Sequence, residues 1–89
     1  MPRVVFSSHI TRHVPVPDGD VEAATLREAL EAVFARHATA RGYVLDEQGH
    51  LRRHVVVFID GARVRGRETL DDPVAGAREI HVLQALTGG

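Results

Sequence analysis

Apolar residues in this chain alternate with polar ones near the amino terminus, then recur at three- and four-residue steps, and later crowd into an unbroken run. From Arg3 to Pro17, Val4 and Phe6 alternate with Val5 and Ser7, followed by Ile10, Val14 and Val16. This predicts two short strands and a turn at Pro17-Asp18-Gly19-Asp20. Between the strands, Ser7-Ser8-His9 contains no Asn-Gly or Asp-Gly pair, so the hairpin register stays open. Thr25-Leu26-Arg27-Glu28 matches a capping box, in which hydroxyl and carboxylate each satisfy a first-turn N–H, and a helix is expected from there. Leu26, Ala29, Leu30, Val33, Phe34 and His37 form its apolar stripe, Arg27, Glu28, Glu31 and Arg36 fall off it, and Gly42 offers the C-terminal cap.

A polar connection at Leu45-Asp46-Glu47-Gln48-Gly49 leads to His54-Val55-Val56-Val57-Phe58-Ile59, whose β-branched and aromatic run predicts the central, most buried strand. Asp60-Gly61 accepts the positive φ angles of a two-residue hairpin turn, and Ala62-Arg63-Val64 starts the return strand. Beyond a loop with Asp72-Pro73, residues Glu79 to Leu86 form the last strand and run into Thr87-Gly88-Gly89. One helix with one apolar face needs a sheet to cover it. The order predicts an α+β fold of the ubiquitin-like β-grasp type: a mixed four- to five-stranded sheet with one main helix on one face, in a single domain over residues 1–89 with a flexible Gly-Gly tail at 87–89.

Composition narrows the function. A chain of 89 residues has room for one core, since it buries only about 60–65% of its unfolded surface. Its net charge is -1 and its basic residues are scattered from Arg3 to Arg78, so no nucleic-acid partner is expected. The absence of an apolar run of spanning length and of a basic-then-apolar leader predicts no membrane partner and a cytoplasmic location. With no cysteine there is no disulfide, thiolate metal site or cysteine nucleophile, so any sulfur chemistry uses sulfur from elsewhere. His50 and His54 are four apart across a loop-to-strand junction without a third ligand, and Ser7, Ser8, His9 and His13 match no hydrolase motif. Neither a metal site nor autonomous catalysis is predicted.

The candidate chemistry lies at Gly88-Gly89. Glycine lacks Cβ and can thread a narrow channel, and the α-carboxylate is ionised at neutral pH. Such a carboxylate can attack the α-phosphate of ATP once a partner supplies magnesium and positions both reactants. In the last strand, Ile80, Val82 and Leu86 lie on the parity opposite to His81, Leu83 and Ala85. One set packs beneath the helix, and the other joins part of the central strand in an exposed apolar patch where an activating enzyme docks. Period two alone does not choose between them. Phe58, His81, Leu83, Ala85, Leu86 and Thr87 are the candidate partner-binding residues.

The segments Leu45-Asp46-Glu47-Gln48-Gly49-His50-Leu51-Arg52, Val55-Val56-Val57-Phe58-Ile59-Asp60-Gly61 and Glu79-Ile80-His81-Val82-Leu83, together with Gly88-Gly89, resemble the MoaD/ThiS sulfur-carrier family and its prokaryotic ubiquitin-like relatives. The resemblance implies that Gly89 is adenylated by a ubiquitin-activating-type adenylyltransferase using ATP and Mg, and is converted to a thiocarboxylate with a sulfurtransferase. The sulfur then passes to an accepting enzyme in cofactor, tRNA or amino-acid synthesis. The chain would be the carrier, binding no cofactor itself. Conjugation to lysines through Gly89, or a plain interaction module, are the alternatives. All eleven basic residues are arginine, so such a carboxyl terminus, once activated, finds no ε-amine on its own chain.

Overall fold

The computed structural model describes residues 1–85. The elements in order are β1 (Arg3–Phe6), α1 (Ser8–Thr11), β2 (Gly19–Asp20), α2 (Leu26–Phe34), α3 (Ala38–Val44), β3 (Val55–Ile59), β4 (Ala62–Arg63) and β5 (Glu79–Gln84). The strands form one mixed sheet in the order β2-β1-β5-β3-β4. β5 runs parallel to β1, with Val4 opposite Ile80 and Phe6 opposite Val82, and antiparallel to β3, with Val57 opposite Val82. A parallel pair needs a long crossover, and here the chain between β1 and β5 supplies α2, which covers one face of the sheet. The expected β-grasp architecture is therefore present.

The centre of the sheet is β5, not the run at His54–Ile59. That run forms β3, one strand further out, with only the two-residue β4 beyond it. Its continuous apolarity has another cause: Val55 and Val57 point into the core, while Val56 and Phe58 are half-buried on the opposite face. A strand reads apolar on both sides when both faces are partly covered, whatever its position in the sheet.

The second strand expected before Pro17 is not formed. Ser7, extended at φ -65 and ψ 158, instead opens a single helical turn whose Ile10 and Thr11 N–H groups donate to the Ser7 carbonyl. That turn drops Ile10 into the core with no exposed surface. Val14 and Val16 keep their inward alternation, but Pro15 and Pro17 have no N–H to offer a ladder. The chain rejoins the sheet only at β2, where the turn at Pro17–Asp20 was expected, with Arg3 opposite Asp20.

The helix starts where the capping box puts it. Thr25 Oγ1 accepts from the Glu28 N–H at 3.3 Å, and the Glu28 carboxylate accepts from Ala24 N–H at 2.8 Å, one residue earlier than the usual reciprocal bond. Loop carbonyls of Asp72 and Leu70 take the next free donors, those of Leu26 and Arg27. The stripe stops at Phe34, because His37 (φ -132, ψ 70) leaves the helical region and begins α3. Gly42 thus lies inside α3 and does not cap α2. Leu26, Ala29, Leu30, Val33 and Phe34 pack on Val4, Phe6, Val55, Val57, Ile80 and Val82, and no polar residue is buried among the described residues.

At the far end of β3, Asp60 (φ 49) and Gly61 (φ 86) form the expected two-residue turn, setting Ile59 opposite Ala62. The Asp60 carboxylate also accepts the N–H groups of Glu79 and Arg78, both at 2.9 Å, which ties this turn to the start of β5. Those bonds hold the Asp60 carboxyl below its ordinary value of 3.8, against a smaller opposing effect of desolvation. A carboxyl with a depressed folded pKa contributes stability that is complete above its unfolded value and is lost as pH falls through the folded one. Chemical denaturation of the native chain and of Asp60→Asn is expected to diverge above pH 3.8 and to converge below it, the native chain losing its advantage in acid.

Candidate functional site

The exit of β5 is held on several sides. The Ser7 N–H donates to the Val82 carbonyl at 2.9 Å, and the Ala85 N–H donates to the His54 carbonyl at 2.7 Å. Tyr43, on α3, donates its hydroxyl to Gln84 Oε1 at 2.7 Å. His13 stacks on the Tyr43 ring at a centroid distance of 5.8 Å, and His54 meets that ring edge-on at 5.3 Å. Three separate segments therefore converge where the chain leaves the sheet. Sequence spacing gave no sign of this cluster, since His13, Tyr43 and His54 share no periodic pattern. Their common feature is that each lies next to the end of a regular element.

The alternation left open by the sequence is resolved. Ile80 and Val82 are fully buried beneath α2, while His81 and Leu83 are half-buried on the opposite face. There Val5 and Phe58 flank His81 on either side, and Val56 stands opposite Leu83. Cross-strand neighbours of this kind form a continuous surface. His81 Nε2 lies 3.0 Å from Glu79 Oε1, at the rim of a shallow depression of about 410 Å³ lined by Phe58, Asp60, Gly61, Glu79, His81 and Leu83. Of the candidate partner-binding residues, Phe58, His81 and Leu83 thus come together, and Ala85 follows at the end of the strand. Leu86, Thr87, Gly88 and Gly89 lie outside the described residues.

Among the described residues no group of three His, Asp or Glu side chains is placed to hold a metal ion, and no helix is long and apolar enough to cross a membrane. The arrangement offers a surface and a strand terminus. A layer of helix on one side of a mixed sheet, with the C-terminal strand at its centre, defines the ubiquitin-like β-grasp class. The model of the ThiS family matches residues 10–89, and the chain belongs to that family, whose members are small carrier proteins and not catalysts.

Solved structures agree on the fold. A chain of the Amycolatopsis orientalis BexX/CysO complex superposes with a TM-score of 0.80 at 24% identity, covering 100% of both chains. CysO of Mycobacterium tuberculosis gives 0.79 at 18% identity, over 97% of this chain and 100% of its own. SAMP1 of Haloferax volcanii gives 0.75 at 21% identity, over 98% of this chain and 97% of its own. No match is found among curated protein sequences.

Removing the Tyr43 hydroxyl tests the clasp at the strand exit. Tyr43→Phe keeps the ring and its histidine contacts but strands Gln84 Oε1, and is expected to lower unfolding stability by about 1 kcal/mol. Amide exchange at Ala85 is expected to quicken in the same variant.

Proposed function

We propose that this protein is a sulfur carrier whose Gly89 carboxylate is activated and thiocarboxylated by partner enzymes. The match of the ThiS family model through residue 89, which includes Gly88-Gly89, is the observation that carries this reading. The carboxylate attacks the α-phosphate of ATP on an adenylyltransferase, forming an acyl adenylate and releasing pyrophosphate. Sulfide then adds to the acyl carbon and expels AMP. Where the donor is the persulfide of a sulfurtransferase, a thiol reductant afterwards cleaves the S–S bond and leaves the thiocarboxylate. The magnesium and ATP belong to the partner, and this chain supplies the nucleophilic oxygen and a docking surface. The half-buried face around Phe58, His81 and Leu83 suits that docking: it is apolar, continuous with the strand that leads to the carboxylate, and without a helix over it. CysO in its complex with BexX gives a precedent for a protein of this fold held by another.

Likeness to small archaeal modifier protein 1 of Haloferax volcanii supports a second reading, conjugation of the same carboxylate to lysines of other proteins. Both readings share the adenylation step and part at the nucleophile.

Incubation with the host's adenylyltransferase, ATP, magnesium and a sulfur donor is expected to change the intact mass by one oxygen replaced with sulfur, located at Gly89 by fragmentation. An unchanged mass with every such enzyme of the host would refute the carrier reading, and Gly-Gly remnants on host lysines would favour conjugation. Leu83→Asp, on the open face, is expected to keep the fold and to slow activation at least about tenfold, as a charge set into a desolvated contact does. Pyrophosphate release measured at limiting carrier concentration reads this directly.

A further inference from the structure

The two segments that frame the exit of β5, Ser7–Pro17 and Leu51–Val55, contain Arg12, Arg52 and Arg53 and three histidines but no aspartate or glutamate. The structure gathers them at one place. His13 and His54 both pack on Tyr43, which holds Gln84, so Arg12 and Arg53, each adjacent in sequence to one of those histidines, flank the root of the tail. The Arg67 guanidinium joins them by donating to the Arg52 carbonyl at 2.6 Å. None of these arginines enters an ion pair among the described residues, whereas Arg3 and Arg41 are paired with Asp18 and Glu31. The Asp46 carboxylate does approach them: bonds from the His50 and Gln48 N–H groups chiefly lower its pKa, and the charge of Arg52 adds to that shift. Asp60 and Glu79 stand at the opposite end of β3 and β5, next to the Ile59 and Ile80 pair, and Asp71 and Asp72 lie in the loop against the start of α2. The far end carries arginines as well, Arg63 opposite Phe58 and Arg78 beside Asp60 and Glu79, so its charges offset one another, whereas Arg12, Arg52, Arg53 and Arg67 outnumber Asp46 beside Gln84 and Ala85.

We infer that this end docks on an acidic protein surface, and that the partner receiving the tail carries carboxylates around the mouth of its channel. From Ala85 to Gly89 the chain spans at most about 14 Å, so whatever grips Gly89 must also lie against this end of the fold. Charges facing each other there steer encounter into the tail-first orientation. Nucleic acid fits less well, because among the described residues this end offers a single tyrosine ring, already stacked on His13 and met edge-on by His54. The identity of the partner rests on the proposed function, but the chemistry of the surface does not.

The test is a titration of the full, nitrogen-labelled chain with an oligoglutamate peptide of about twenty residues at low ionic strength, where the Debye length is about 20–30 Å. Backbone amides of Arg12, His13, Arg53 and His54 are expected to shift, and affinity to fall at least about tenfold when salt is raised to near 0.2 M. Arg12→Glu/Arg53→Glu, both at exposed positions, is expected to weaken binding by a similar factor, while Arg63→Glu/Arg78→Glu, with the same change in net charge, binds as the native chain does. Equal weakening in both variants, shifts centred on the face of Phe58 and Leu83, no binding, or tighter binding of a single-stranded oligonucleotide of equal charge would each overturn the inference. The titration requires no activation. A chain that acquires a thiocarboxylate yet ignores the peptide therefore keeps the proposed function and loses only this surface.

Discussion

The pairing of β5 with β1 on one side and β3 on the other is the interaction on which the rest of the molecule depends. It buries Ile80 and Val82 completely beneath α2 and hydrogen-bonds the last strand along both edges. The C-terminal segment is consequently anchored in the most constrained strand of the sheet, where freeing it would disrupt both ladders and open the core. A partner that grips the chain beyond Ala85 pulls against the whole fold. The end of β5 is held further by Val82, Gln84 and Ala85, through bonds to Ser7, Tyr43 and His54.

A core this small leaves the loops to be held by polar ties. Arg27 is the main one: its guanidinium donates to the carbonyls of Gly49 at 2.9 Å, Glu68 at 2.8 Å and Thr69 at 3.2 Å, joining α2 to two loops far from it in sequence. A planar fork of donors suits this task in a way that an ammonium does not. Beside it Leu70 sits at φ 53 with no exposed surface, a left-handed conformation uncommon for a non-glycine residue, and its carbonyl receives the Arg27 N–H. Asp46 and Asp60 act similarly in their own turns, each accepting N–H groups that would otherwise face water.

Legibility of the fold followed how local its determinants are. The start of α2 was readable because a hydroxyl, a carboxylate and two backbone N–H groups within five residues decide it. The Asp60-Gly61 turn was readable because only a few residues accept those φ angles. The Ile10 segment was not, since Ile10, Val14 and Val16 keep an inward alternation that a strand and a helical turn followed by extended chain both satisfy, although Pro15 and Pro17 offer no N–H to a ladder. The rank of β3 and β5 was invisible because strand order is a long-range property, and apolarity on two faces reports coverage instead of position. In the candidate site, Phe58, His81 and Leu83 were reachable from parity, while the Tyr43 cluster needed contacts between residues thirty and forty-one apart, which no periodicity encodes.

A carrier of this fold takes part in demanding chemistry without performing it itself. In a carrier, the reacting group must be reachable, and it must be harmless until it is used. Reach comes from anchoring a short segment at the end of a strand that cannot slip. Harmlessness has a compositional side: an acyl adenylate or thioester reacts readily with amines, and a neutral lysine within a few ångströms would consume it. Were Gly89 activated as proposed, arginine in all eleven basic positions would leave no lysine ε-amine on the chain for that side reaction, because a guanidinium stays protonated throughout the accessible pH range and has no lone pair to offer. It also preserves positive charge at the tail end, where Arg12, Arg52 and Arg53 stand. Lysine in those places would supply the same charge together with nucleophilic amines, which arginine avoids.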